Sequence, residues 1–107
     1  MTAEHNPLLG KWRITGMDLW DAAHIDLLGH GFIRFDADGG GEMGFGALQA
    51  TLDCHWGSRS MHFTWEGSDE GEHLSGDGDA EVEDDGTISG EIRFDNGDET
   101  TFTARRA

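Results

Sequence analysis

LQATLDCHW at residues 48–56 and MHFTW at residues 61–65 are the clearest indication of the fold in this chain. Apolar and polar side chains alternate along both pieces, and this period of two is typical of β-strands with one buried face. Pairing Trp56 with Met61 keeps both apolar rows on the same side of the sheet. The stretch therefore predicts an antiparallel β-hairpin with one apolar and one polar face.

The same alternation continues outward along the chain in both directions. Further alternating segments are residues 8–16, 31–36, 74–82, 88–94 and 100–104. Asp84-Asp-Gly86 and Asn96-Gly97 are typical of short hairpin turns. The sequence thus predicts an all-β antiparallel meander of seven or eight strands. We expect it to close into a small barrel, because closure removes the exposed strand edges. A two-sheet sandwich is the alternative.

Three segments depart from the simple alternation. One short helix is predicted after the first strand, over residues 21–28, because Asp21 can cap its start and Gly29 suits a left-handed residue after its end. The inward row changes from odd to even numbers near residues 46–47, which predicts a β-bulge. Residues 67–73 are dense in acid and are predicted to form a long loop, a candidate recognition element.

Length and charge limit the classes of function. The 107 residues suit one domain, and we expect a flexible leader over residues 1–7 and a single β-barrel domain over residues 8–107. With 22 Asp and Glu against 7 Lys and Arg, the net charge is −15. Such a surface repels phosphate, which argues against direct binding to nucleic acid or anionic membranes. Solubility, attraction of a cationic partner or metal, and mimicry of nucleic acid remain as explanations.

The cysteine content and the first residues indicate a cytoplasmic protein. The single cysteine, Cys54, cannot form an internal disulfide, which fits a reducing compartment. Residues 1–9 lack the basic and apolar regions of a signal peptide, and no apolar run approaches the roughly 18 residues that span a bilayer. Cys54 belongs to an inward row and is expected to be a buried small hydrophobe. The sequence has no nucleophile elbow, phosphate loop or Cys-x-x-Cys motif, so no catalytic residue is predicted.

The beginning of the chain resembles a known superfamily. LLGKWRI at residues 8–14 is similar to the Gly-x-Trp first-strand motif of the calycins, which include lipocalins and fatty-acid-binding proteins. WDAAHIDLLG at residues 20–29 is similar in position and character to the helical segment of fatty-acid-binding proteins. The resemblance implies a calycin-like barrel in which Arg105 or Arg106 packs over Trp12. The Arg-x-Tyr ligand motif of fatty-acid-binding proteins is missing, since the chain has no Tyr.

The leading functional hypothesis is a non-enzymatic binding domain that holds a small apolar or amphipathic molecule at the mouth of the barrel. The residues expected to line that site are Trp12, Trp20, Trp56 and Trp65. The alternative is that these tryptophans fill the core. Inward glycines at positions 76, 78 and 90 would leave room for a ligand unless large residues opposite them occupy the space.

Two rival hypotheses use the outer face of the barrel. One is an acidic protein-interaction module that binds a basic partner. The other is a weak divalent-metal site, because pairing Trp56 with Met61 sets His55 opposite His62, with Asp53 or Glu66 as an oxygen ligand. For the metal site the alternative is two exposed histidines beside solvating acids.

Overall fold

Residues 6–107 are described by the computed structural model, so the predicted leader lies outside the described residues except for its last two positions. The described part of the chain forms eight strands and one helix. The elements are β1 (Gly10–Met17), α1 (Ala22–Ile25), β2 (Phe32–Phe35), β3 (Gly40–Phe45), β4 (Leu48–Trp56), β5 (Ser60–Asp69), β6 (Glu72–Val82), β7 (Ile88–Phe94) and β8 (Glu99–Arg106). Each strand pairs antiparallel with the next, and β8 pairs with β1.

The predicted meander is confirmed, and its closure into a barrel rules out the two-sheet sandwich. β4 and β5 pair Trp56 with Met61, as their apolar rows predict. The turn between β6 and β7 keeps Val82 opposite Ile88, and Gly86 adopts the left-handed conformation with φ +86°. Local turn chemistry and strand register therefore agree in the hairpin of β6 and β7.

The predicted β-bulge at residues 46–47 is wrong, because the chain reverses there between β3 and β4. Phe45 pairs with Leu48, and Gly46 has φ +58°. A glycine with positive φ at the first of two turn positions is what a type II′ hairpin requires. The irregularity in register occurs instead between β1 and β8, at Ile14 to Gly16.

The predicted long acidic loop over residues 67–73 is also wrong. β5 and β6 pair along most of this segment, as far as Asp69 and Glu72, which leaves only Glu70 and Gly71 in the turn. Both turn residues have positive φ, +50° and +87°, as a type I′ turn requires. The acidic side chains of this segment therefore belong to paired strands and a tight turn.

The helix begins as predicted and ends earlier. The carboxylate of Asp21 caps α1 by accepting a hydrogen bond of 3.0 Å from the backbone N–H of His24. The helix then ends at Ile25, its only buried residue, whereas the prediction continued to residue 28. A helix this short depends on packing for its stability, and the leucines that follow are exposed. Among the described residues, no helix is long and apolar enough to cross a membrane.

The interior of the barrel is filled by side chains from the inward rows. Phe63 is completely buried and lies directly opposite Gly78, where its ring takes the place of a side chain. Trp65 lies opposite Gly76 in the same way. The inward glycines on β6 therefore leave space that rings from β5 fill. This space was predicted to be open to a ligand unless large residues opposite the glycines occupied it.

One end of the barrel is closed by the start of β1 and the end of β8. The guanidinium of Arg106 stacks on Trp12, with Cζ 4.0 Å from the ring centroid, so this predicted contact is confirmed. Arg106 also donates to the backbone carbonyls of Pro7 and Leu9. Asn6 is buried and donates to the carbonyl of Gly57 at 2.6 Å. The packed barrel thus includes Asn6 and Pro7, two residues before the predicted domain boundary.

Candidate functional site

The four tryptophans proposed as ligand contacts divide between core and barrel ends. Trp12 and Trp65 are buried in the core, whereas Trp20 and Trp56 are half-buried and pack against it. The indole N–H of Trp12 donates to the carbonyl of Leu8 at 2.9 Å. The indole nitrogens of Trp56 and Trp65 are buried and have no hydrogen-bond partner within residues 6–107. The structure therefore does not bring the four rings to one site.

An aromatic cluster lies where α1 covers the barrel, which we call the lid end. Trp20 stacks on His24 with ring centroids 5.3 Å apart and also contacts Phe45 and Phe94. Trp65 meets Phe94 edge-on at 5.1 Å. Leu19 precedes Trp20 in the chain, and Leu27 and Leu28 follow α1. All three side chains are largely exposed, and Leu28 borders a surface depression together with Phe45. The lid end therefore combines a half-buried indole with exposed leucines on either side of α1.

The predicted histidine pair is confirmed as a pair of cross-strand neighbours. His55 lies opposite His62, with ring centroids 6.4 Å apart. The Nε2 atom of His62 is 3.0 Å from the carboxylate of Asp77, which was not among the predicted ligands. Asp53 and Glu66 lie on the same outer face, opposite Thr64 and Thr51 respectively. Within residues 6–107 no three His, Cys, Asp or Glu side chains are grouped as a metal site, and binding of a divalent ion stays a prediction.

Cys54 is buried in the inward row of β4, as expected. Burial raises the pKa of its thiol to about 12. At neutral pH the side chain is therefore a protonated thiol, which is a poor nucleophile and a poor metal ligand.

A long depression crosses the outer face of β3, β4, β5 and β6, and we call it the acidic trough. Its two halves have volumes of about 600 and 500 Å³ and share Thr51 and Glu66. Its acidic lining residues are Glu42, Asp53, Glu66, Asp77 and Asp95. The trough has a simple cause in the sequence: short Thr and Ser side chains alternate with longer acids across the paired strands.

The acidic residues of the acidic trough differ in how far cations neutralise them, and Glu42 pairs with Arg34 at 3.3 Å. Asp53 has no ion-pair partner in the described part of the chain, whereas Glu66 lies 3.8 Å from His73 at the exposed rim. Asp77 is neutralised, because Arg93 donates to its carboxylate at 3.1 Å and lowers its pKa, with a smaller contribution from His62. Arg93 also contacts Asp79 and Glu91 and so fixes the edge of the trough.

The sequence reasoning missed one further feature, a cleft rich in cations on the outer face of β1, β2 and β8. Its lining residues are Lys11, Arg13, His30, Gly31, Phe32, Arg105, Arg106 and Ala107. The signal was present in the alternation, since Lys11 and Arg13 lie on the outward row of β1. What the sequence did not reveal is the register of β8 on β1, which sets Arg105 directly opposite Arg13.

No protein-family model matches this chain, and a search of curated proteins finds no significant match. Its function must therefore be inferred from the surfaces described above.

Proposed function

We propose that this protein is a non-enzymatic binding domain that docks a basic polypeptide segment in the acidic trough. The observation that carries the proposal is the trough itself, two adjoining depressions with five acidic lining residues and no Lys or Arg among their lining residues. Arg34 and Arg93 pair with Glu42 and Asp77 from its border. Asp53 and Glu66 lie on the two central strands. Because Asp53 has no cationic partner within residues 6–107, it is free to pair with a ligand.

The dimensions of the trough favour an extended peptide over a single small cation. Three inter-strand spacings across β3 to β6 amount to about 15 Å, which is the length of about five extended residues. In an extended segment alternate side chains face the same way, so every second residue can present a Lys or Arg to the carboxylates.

The overall charge supports the same function. A net charge of −15 attracts a basic partner over distance and accelerates its encounter with the barrel. Exposed charges are screened beyond roughly 8 Å at physiological ionic strength, so this attraction weakens as salt is added.

The calycin-like character of the barrel belongs to the same proposal. Three features support it: the closed eight-stranded meander, the helix directly after β1, and the stacking of Arg106 on Trp12. In this proposal the protein has the barrel architecture of calycins, but its interior is filled by side chains and the ligand binds on the outer face.

A basic peptide with alternating Lys and Thr, labelled with fluorescein, tests the proposal by fluorescence anisotropy. The double variant Asp53→Asn with Glu66→Gln is expected to bind it about fivefold more weakly than the wild type, because each exposed ion pair contributes roughly 0.2–1 kcal/mol. Binding by the wild type is expected to weaken steadily between about 50 and 300 mM NaCl.

The matched control is Asp84→Asn with Glu70→Gln, which removes the same charge from two exposed turns. It is expected to bind within about twofold of the wild type. An equal loss in both double variants would mean that net charge, and not the acidic trough, attracts the peptide.

A second candidate function is capture of a small apolar molecule at the lid end. The observation that favours it is the pair of exposed leucines that follow α1, with Leu28 70% and Leu27 57% exposed. Leu28 shares a surface depression with Phe45, which contacts the half-buried Trp20. A ligand there would extend the aromatic cluster outward, without entering the filled interior.

Titration with lauric acid tests this second candidate through tryptophan fluorescence. We expect a saturable change in emission, and the double variant Leu27→Ser with Leu28→Ser is expected to weaken binding at least about tenfold, because two apolar contacts are lost. The variant Val82→Ser, a half-buried residue far along β6, serves as the control. Unchanged emission at every concentration of the acid would rule out an apolar site beside Trp20.

A further inference from the structure

The cations of this acidic protein are concentrated in one place. Of its seven Lys and Arg residues, four line the cleft on β1, β2 and β8: Lys11, Arg13, Arg105 and Arg106. No Asp or Glu side chain lines this cleft. The cleft has a volume of about 370 Å³, which is within the range of sites for small molecules.

Two of the four cations already have interaction partners within the protein. Arg106 stacks on Trp12 and donates to two backbone carbonyls. Arg13 lies 3.5 Å from the carboxylate of Asp26, just outside the cleft. In contrast, Lys11 and Arg105 have no Asp or Glu within ion-pairing distance in residues 6–107.

The strand register brings like charges together at the cleft. Arg13 and Arg105 are directly opposite each other on β1 and β8, an arrangement that is unfavourable for like charges. Lys11 lies opposite Arg34, which is itself neutralised by Asp36 and Glu42. A bound anion between Arg13, Arg105 and Lys11 would relieve the repulsion that remains.

The cleft also has an apolar floor. Phe32 is half-buried, and the ammonium of Lys11 lies 4.7 Å from the centroid of its ring. Long stems of Lys and Arg add further apolar surface below their charged ends. A ligand that fits must therefore carry a flat apolar body as well as an anionic group.

We propose that this cleft binds a small organic anion, a planar aromatic carboxylate, with the carboxylate between Lys11, Arg13 and Arg105 and the ring over Phe32. Arg presents paired N–H groups that match a carboxylate. The site is separate from the acidic trough, so a negative result for one proposal leaves the other unaffected.

The probe is 2-naphthoate, and binding is followed by amide chemical shifts and calorimetry. We expect saturable binding with shift changes centred on Lys11, Phe32 and Arg105. The variants Lys11→Gln and Arg105→Gln are each expected to weaken binding about tenfold, because each loses a charge-assisted hydrogen bond. Arg59→Gln, which removes an exposed cation elsewhere, is expected to leave the affinity unchanged.

Two further probes test the class of ligand. The neutral analogue 2-naphthalenemethanol is expected to bind at least about tenfold more weakly than 2-naphthoate, since it cannot pair with the cations. Inorganic phosphate that binds as tightly as 2-naphthoate would overturn the role of the apolar floor. Shift changes centred on Trp20, or equal losses in Arg59→Gln and Arg105→Gln, would overturn the cleft as the site.

The melting temperature separates ligand binding from a structural role. Arg105→Gln removes one of two directly opposed cations and is therefore expected not to lower the melting temperature of the ligand-free protein. A clear decrease would mean that Arg105 stabilises the barrel itself and would contradict the proposal.

Discussion

Replacing Phe63 with alanine is expected to lower the free energy of unfolding by about 3–5 kcal/mol. The ring is fully buried and lies 6.2 Å, centroid to centroid, from Phe35. On its other side it covers Gly78, which has no side chain that could move into the space. The truncation therefore leaves a cavity that the neighbouring strands cannot easily fill.

Urea unfolding, monitored by tryptophan emission, measures this loss. Leu28→Ala is the control, because Leu28 is 70% exposed and its truncation is expected to change the stability by less than about 0.5 kcal/mol. A loss below about 1 kcal/mol for Phe63→Ala would mean that the interior is loosely packed. That result would favour a ligand inside the barrel over the outer faces proposed above.

Replacing Gly90 with alanine is expected to lower the free energy of unfolding by about 3 kcal/mol, although alanine is normally better tolerated than glycine within a strand. A β-carbon at Gly90 would overlap the backbone carbonyl of Asp79 on the neighbouring strand. Backbone atoms cannot move aside as a flexible side chain does, so β6 and β7 would have to separate.

Gly16→Ala is the matched control for Gly90→Ala, since both glycines lie in strands without positive φ. The nearest atom to a β-carbon at Gly16 is the side-chain oxygen of Thr103, at 3.2 Å, which can rotate away. In thermal unfolding, Gly90→Ala is expected to have a clearly lower melting temperature than Gly16→Ala. Equal melting temperatures would show that β6 and β7 can move apart at little cost.

These two predictions bear on function because they concern the space inside the barrel. Rings from β5 pack over the glycines of β6, so the interior contributes stability, and for this reason we propose binding on the outer surface. That surface carries the acidic trough on β3 to β6 and the cation-lined cleft on β1, β2 and β8. The barrel thus presents two outer surfaces of opposite charge, and these are the surfaces for which we propose ligands.

Local sequence patterns were sufficient to predict the strands, some of the turns and the inward rows. Alternation fixes which side chains face inward, because successive residues of a strand point to opposite faces. For this reason the pairs Trp56–Met61 and His55–His62 could be predicted from residues 48–65 alone. The cap at Asp21 and the turn at Gly86 were also predictable, since both depend on local chemistry.

Local pattern was insufficient where an element's length depended on its neighbours. The acidic segment over residues 67–73 resembles a loop in composition, yet pairing with the adjacent strand extends β5 and β6 through most of it. The helix was predicted too long because only contact with the barrel decides how many of its turns are buried, and that contact ends at Ile25.

Which outer surfaces form depends on how the strands pair around the closed barrel. Barrel closure brings β8 beside β1 and so places Arg105 opposite Arg13, across a separation of 92 positions that no local pattern encodes. The same pairing of strands determines that Trp65 and Phe63 cover Gly76 and Gly78, whereas the backbone of β6 lies against Gly90. Side-chain direction is a local property of the chain, whereas the neighbours across a closed sheet depend on how every strand pairs.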